Sequence, residues 1–274
     1  MAISNRIKRF IKSALQSKGY RLDRIPTLFR DHPVEADLSY VAPELIIERE
    51  MAIQGNAATV VQIGAFDGVS NDFLYDSIKK VGSPALLVEP QPEPFQSLVK
   101  NYEGQAHVSF ERVAIADYDG VLPMYRIKEA YHPFIRLAPQ FTSPNRQHIV
   151  NALSGSIPGI PSDTDACIEE FDVPCLTLQS LFERHQIHKI SVLQVDTEGY
   201  DYRIIKMLDF TKYRPTIINF EVVHMTRLQI DEIMWMLYRN GYKIMRYGIN
   251  MIAKCDCDQA VHLRHWSDVA GSGL

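Results

Sequence analysis

What constrains this chain most is an alternation. Residues 59–63, Thr-Val-Val-Gln-Ile, form an apolar run too short for a helix and closed by Gly64. Residues 71–80 then read as a helix. Ala85-Leu86-Leu87-Val88 is a second run, closed by Glu89, and Phe95, Leu98, Val99 and Tyr102 mark one face of the next helix. Residues 107–116 read as a third strand, and Asp119-Gly120 signals a turn before a strand over 121–127. The pattern resumes with a strand at 190–195 and a helix marked by Tyr202, Ile204, Ile205 and Leu208. A strand at 216–220 follows Pro215, and a helix over 228–239 ends at Asn240-Gly241. Residues 242–247 and 250–254 read as a closing antiparallel pair. Uninterrupted apolar strands between amphipathic helices specify an α/β fold. Its sheet is mostly parallel, with helices on both faces and an antiparallel C-terminal strand.

One stretch escapes the alternation. Residues 128–170 are rich in Pro, Ser, Gly and His and show no clean period. A loop of that length inside a compact domain is usually functional, so it is the natural lid or acceptor-recognition segment of a domain spanning 51–274. Residues 1–50 differ in kind. Residues 1–30 carry eight basic side chains and one acid, so the net charge of −4 splits into +7 there and about −11 in the body. Ile7, Phe10, Ile11, Ala14 and Leu15 follow helical spacing, with Arg6, Lys8, Arg9 and Lys12 on the other faces. Such a helical extension can lie on an anionic membrane surface, or pack on the body or on a second copy. A homo-oligomer is compatible with the sequence.

The acidic body argues against nucleic-acid binding, which needs a basic face. No apolar run approaches the roughly 18 residues of a membrane span. The start lacks a continuous apolar core and a small-residue cleavage site, so no secretory signal is expected. Four cysteines in 274 residues point to thiols in a reducing compartment. The expected location is cytoplasmic, with peripheral contact at the inner face of the membrane through residues 1–30.

In sheets of this kind ligands bind beyond the carboxyl ends of the strands. Gly64-Ala65-Phe66-Asp67-Gly68 follows the first strand, and its glycines permit a tight turn and close backbone approach. Glu89, 25 residues after Gly64, ends the second and is placed to accept both ribose hydroxyls. Asp196-Thr197-Glu198-Gly199 follows the fourth main strand. Glu221 ends the fifth, with His224 just beyond. A dinucleotide would need G-x-G-x-x-G to seat its pyrophosphate. Here the glycine spacing differs, and Asp67 would repel phosphate. The Walker pattern is missing as well. A cationic, phosphate-free ligand fits, which describes S-adenosylmethionine.

Gln62-Ile63-Gly64-Ala65-Phe66-Asp67-Gly68, Leu87-Val88-Glu89-Pro90 and Val195-Asp196-Thr197-Glu198-Gly199 together resemble the FkbM family of S-adenosylmethionine-dependent methyltransferases. The resemblance covers residues 58–225. It implies a class I methyltransferase (Rossmann-like) fold and O-methylation of sugars, polysaccharide ends or natural-product hydroxyls. It places Gly64, Ala65 and Asp67 around the methionine and ribose, and Glu89 with Pro90 at the ribose. Val113-Ala114 or Asp117 would border the adenine, and Asp196 would lie beside the methionine amino group or the acceptor. The family often has an acid at the place of Gln62, Asn at Phe66 and Lys at Gln194. Gln62 leaves the cofactor ammonium one charge partner short.

A neutral hydroxyl is a poor nucleophile, so a base must take its proton or a metal must acidify it. Asp196, Glu198, Glu221 and His224 are the candidates. His224 is favoured as base because imidazole titrates near neutrality, with Glu221 or Glu198 orienting it or holding acceptor hydroxyls. His132 and His148, in the long insertion, could supply the base from a lid. A divalent metal on Asp196, Glu221 and His224 fits hard-cation chemistry but is not expected. The rival readings are a nicotinamide-dependent oxidoreductase, disfavoured by the loop spacing, and a non-catalytic binding module. Cys255, Cys257, His262 and His265 have gaps shorter than common zinc spacing. Met234, Trp235 and Met236 read as core or dimer packing.

Overall fold

The computed structural model describes residues 43–135, 138–154 and 157–255. The basic segment 1–30 lies outside these residues, as do Cys257, His262 and His265. The first element, α1 (Pro43–Gln54), buries Ile47 and Met51 completely against Val60, Leu74 and Ile78. Glu50 in α1 pairs with Lys254 at 2.8 Å. The boundary expected at residue 50 therefore falls inside a helix that is part of the body.

The first half of the main sheet follows as read. It contains β1 (Val60–Ile63), β2 (Ala85–Val88) and β3 (Val108–Glu111), connected through α2 (Leu74–Val81) and α3 (Pro92–Asn101). Both β1 and β2 are buried along their whole length, as their uninterrupted apolar runs require. The single strand read over 107–116 divides. After β3 the chain leaves the main sheet at Arg112, and β4 (Ala114–Ile115) pairs instead with β7 (Ile168–Leu176).

That switch begins a second, four-stranded sheet in the order β4-β7-β5-β6, with β5 (Gly120–Ile127) and β6 (Thr142–Ser143). Between β6 and β7 runs α4 (Arg146–Ala152), capped by the Asn145 side chain, which accepts from the Gln147 backbone N–H. The described residues within 128–170 are thus built rather than loose. Ile135, Ala138, Ile149, Leu153 and Cys167 bury a small core of their own against Ile127 and Ile168. Their sequence shows no period because the described residues form 3-10 turns, the two-residue β6, the seven-residue α4 and the start of β7.

The chain returns through α5 (Leu178–Arg184), capped by Thr177, to β8 (Val192–Val195). Then come α6 (Asp201–Lys206), β9 (Ile217–Glu221), α7 (Arg227–Arg239), β10 (Tyr242–Tyr247) and β11 (Asn250–Cys255). The main sheet runs β10-β11-β9-β8-β1-β2-β3, with β11 antiparallel to both of its neighbours. This is the class I methyltransferase architecture. Large apolar clusters cover both faces, one centred on Leu193, Phe220 and Phe182, the other on Leu87, Leu74 and Ile252.

On α7, Trp235 is 60% exposed and stacks on Tyr238, so it belongs to the surface rather than the core. Cys167 and Cys175 are free and buried, whereas Cys255 is disulfide-bonded, against the expectation of four thiols. Among the described residues no helix is long and apolar enough to cross a membrane.

Candidate active site

The strand order reverses between the parallel strands β8 and β1, and a cavity of about 730 Å³ opens there at the carboxyl ends of the strands. Its floor is a polar row set by register. Gln62 on β1 lies beside Gln194 on β8, which lies beside Asn219 on β9. Asn219 donates to Gln194 at 2.7 Å, and Gln62 donates to Asp72 at 2.9 Å. Gln62 Oε1 and Asn219 Oδ1 are buried without a hydrogen-bond partner. Sheet interiors are otherwise apolar, so a row of half-satisfied amides here marks a surface built to meet a polar ligand.

The loop after β1 wraps one end of the cavity. Gly64 and Gly68 take φ of +81° and +70°, and Phe66 takes +48°. A short polar side chain such as Asn tolerates this left-handed region better than Phe does. Phe66 is held there because its N–H donates to Glu89 Oε2 at 2.9 Å. Glu89 Oε1 accepts from the Gln91 N–H at 2.9 Å, and burial pushes the carboxyl up to about 7 against those two bonds. Pro90, Val113 and Ala114 continue the wall.

Two expected contacts fall elsewhere. The Asp67 carboxylate turns onto its own loop, accepting from the N–H groups of Val69 and Ser70 and from the Ser70 hydroxyl. Burial opposes ionisation there, but those bonds hold the carboxyl below its usual range. Asp117 is exposed and off the cavity wall.

Asp72 does line the cavity, and sequence reasoning missed it. Its signal was a carboxylate just before a helix, ten residues after the unusual Gln62. Burial pushes Asp72 to about 6, and it shares its charge with Gln62 and the Leu74 N–H.

The opposite end is defined by the loops after β8 and β9. Asp196 is open to the cavity, and desolvation followed by the charges of Asp201, Glu198 and Asp72 raises it to about 7. Glu198 takes φ of +53°, and its carboxylate stands beside two imidazoles. His148 Nε2 stands 3.3 Å and His224 Nε2 3.7 Å from Glu198 Oε2. The two rings meet edge to face at 4.2 Å. Burial would raise Glu198, but the imidazoles overcome it and hold the carboxyl at about 2. Glu221 Oε2 stands 3.5 Å from His224 Nε2, and burial with the charges of Asp196, Asp201 and Glu198 drives it up to about 9.

The structure therefore brings His224, Glu198 and Glu221 together as expected and adds His148. Glu198 and Glu221 face the cavity, with the imidazoles behind them. His132 lies apart, its ring bound to the Ile127 carbonyl.

Residues 62–244 match the Methyltransferase FkbM domain family. The chain belongs to the FkbM methyltransferase family. No curated protein matches it. Among solved structures it is similar to the methyltransferase FkbM from Methylobacillus flagellatus KT, at 11% identity and TM-score 0.41 over 72% of this chain and 43% of that one. It is also similar to the O-methyltransferase from Bacillus cereus in complex with SAH, at 10% identity and TM-score 0.40 over 93% of each. The ribosomal protein L11 methylase from Lactobacillus delbrueckii subsp. bulgaricus gives 11% identity and TM-score 0.38 over 77% and 74%.

As an FkbM methyltransferase the protein uses S-adenosylmethionine, and the nicotinamide and non-catalytic readings fall. The cavity of this FkbM enzyme fits that cofactor. Glu44, Asp72, Glu89, Asp196, Glu198 and Glu221 line it, and no Lys or Arg does among the described residues. A wall of carboxylates without a cation attracts a ligand bearing sulfonium and ammonium groups and repels phosphate.

Proposed function

We propose that this FkbM enzyme is an O-methyltransferase acting on a hydroxyl of a sugar, polysaccharide or glycolipid, or of a natural product. One juxtaposition carries the reading. Glu198 and Glu221 are at once the wall of the acidic cofactor cavity and the edge of the cluster holding His148 and His224. A hydroxyl must lose its proton to react, and this cluster is where the chain gathers groups able to take one.

The residue roles follow from position. Glu89 has lone pairs left beyond its two backbone bonds and would accept the ribose hydroxyls. Pro90, Val113 and Ala114 would border the adenine. Gly64 and Ala65 would bring backbone close to the ligand. Asp72, steadied by Gln62, would face the ammonium together with Asp196 and supply the charge that Gln62 lacks. Asp67 would act indirectly by holding the glycine loop. Bound S-adenosylmethionine supplies an electrophilic methyl group for the acceptor oxygen. His224, joined by His148, would draw off the acceptor's proton, and Glu198 and Glu221 would orient the imidazoles and the acceptor.

The test is incubation of the enzyme with methyl-labelled cofactor and pooled glycans, glycolipids and hydroxylated small molecules. Label retained through alkali, as in a methyl ether, is the expected result. Label released by alkali would lie on a carboxyl ester and would overturn the hydroxyl reading. His224→Ala should cut transfer by about 10²–10⁴ while leaving cofactor binding intact.

A further inference from the structure

We propose that His148, Glu198 and His224 form a binding site for a first-row divalent transition-metal ion at the edge of the cofactor cavity. The inference rests on the reading above, that the acceptor hydroxyl meets the enzyme at this cluster.

The three residues come from α4, the loop after β8 and the loop after β9, so the folded chain assembles them. Each offers one ligand atom, and these atoms lie within 4.8 Å of one another. The two approaches to Glu198 Oε2, at 3.3 and 3.7 Å, match the spacing of atoms that share one ion at about 2.0–2.2 Å.

His148 supplies a separate observation. Its side chain is 9% exposed, and its Nε2 points into the group, buried and without a hydrogen-bond partner. A buried imidazole nitrogen 3.3 Å from a carboxylate oxygen is satisfied either by a proton of its own or by an ion shared with that oxygen. Glu221 Oε2 is also buried and stands 3.5 Å from the same His224 nitrogen, so a fourth polar group borders the site. No Lys or Arg lines the adjoining cavity wall among the described residues.

The donor set decides the class of ion. Two imidazoles and one carboxylate favour Zn²⁺, Co²⁺ or Fe²⁺ over Mg²⁺, which prefers oxygen throughout. Three protein ligands leave coordination positions open. Because Glu198 faces the cavity, an open position can take an acceptor oxygen. This set differs from the hard-cation group of Asp196, Glu221 and His224 weighed from sequence. It gains His148 and omits Asp196.

The experiment uses the full chain, stripped with chelator and titrated with Zn²⁺ by calorimetry and with Co²⁺ by visible absorption. One ion per chain and intensified Co²⁺ bands are expected. His148→Ala, His224→Ala and the size-matched Glu198→Gln should each weaken binding at least about tenfold. His185→Ala should not, since His185 pairs with Glu111 elsewhere. Thermal unfolding of each variant identifies those that fold, and a raised melting temperature of the wild type with Zn²⁺ is a readout that needs no variant. No ion bound by the wild type, or unchanged affinity in folded His148→Ala, would overturn the proposal. The same stripped sample is titrated with S-adenosylmethionine. Cofactor binding without metal binding removes the metal site alone, whereas absence of cofactor binding removes the functional reading on which it rests.

Discussion

Gly64 and Asp196 touch through their backbones. A Cβ on Gly64 would stand 1.7 Å from the Asp196 carbonyl oxygen, at a φ of +81°. Gly64 N–H donates to Val88, and Asp196 N–H donates to Ile63, each within 3.0 Å. The loops after β1 and β8, with Gly64 and Asp196 132 residues apart in sequence, are therefore joined where both line the cofactor cavity.

Gly64→Ala should break that junction. The left-handed conformation alone costs about 1–2 kcal/mol for a residue with a Cβ. The clash is with backbone, so the loops must separate as well. We expect a loss of roughly 2–4 kcal/mol in urea unfolding and no measurable cofactor binding. A variant with native stability and affinity would show that the close approach does not matter.

The carboxylates predict a pH dependence of stability. Glu221 holds its proton to about 9 in the folded chain against an ordinary 4.5, and its side chain is 11% exposed. A carboxyl with a raised folded pKa binds more protons folded than unfolded. Stability then falls as pH rises from about 4.5 to 9, by up to about 1.4 kcal/mol per pH unit for the group. Glu89, buried and raised to about 7, acts in the same direction over a shorter range. Thermal melts of the ligand-free protein should decline from pH 5 to pH 9, and Glu221→Gln should flatten the decline. Equal slopes in both proteins would exclude Glu221 as a source.

Asp72→Asn tests the compensation for Gln62. Asparagine can still accept from the Leu74 N–H, which now reaches Asp72 Oδ1 at 2.8 Å. We expect S-adenosylmethionine to bind about tenfold more weakly, equivalent to about 1.4 kcal/mol. Methylthioadenosine, which lacks the amino-acid portion, should bind equally to both proteins. Equal weakening of both ligands would place Asp72 in loop structure instead.

Much of this was legible in the sequence. Buried parallel strands must be apolar throughout, so Val60–Ile63, Ala85–Val88 and Val192–Val195 announced themselves, and so did the glycines and acids at their ends. The second sheet was not legible. Its β7 carries Glu170, Asp172 and Pro174 on a face that meets solvent, and Glu169 on the other face pairs with Arg126. The departures at Gln62 and Gln194 looked independent in sequence. In the fold they are register partners on β1 and β8. An acid and a lysine facing each other would be an ion pair, and here two amides replace both members. His148 could be noted but not placed, since only tertiary packing of Ile149 and Leu153 brings α4 to Glu198.

The central claim is that an acidic cavity under the β1 and β8 loops binds S-adenosylmethionine through Glu89. Calorimetric titration of the wild type and Glu89→Gln tests it most directly. The account predicts one-site binding by the wild type, none of NADH, and affinity about 10–100-fold weaker in the variant, which keeps the side-chain size but gives up the charge. No heat from S-adenosylmethionine with the wild type, or equal affinity in the folded variant, would contradict it.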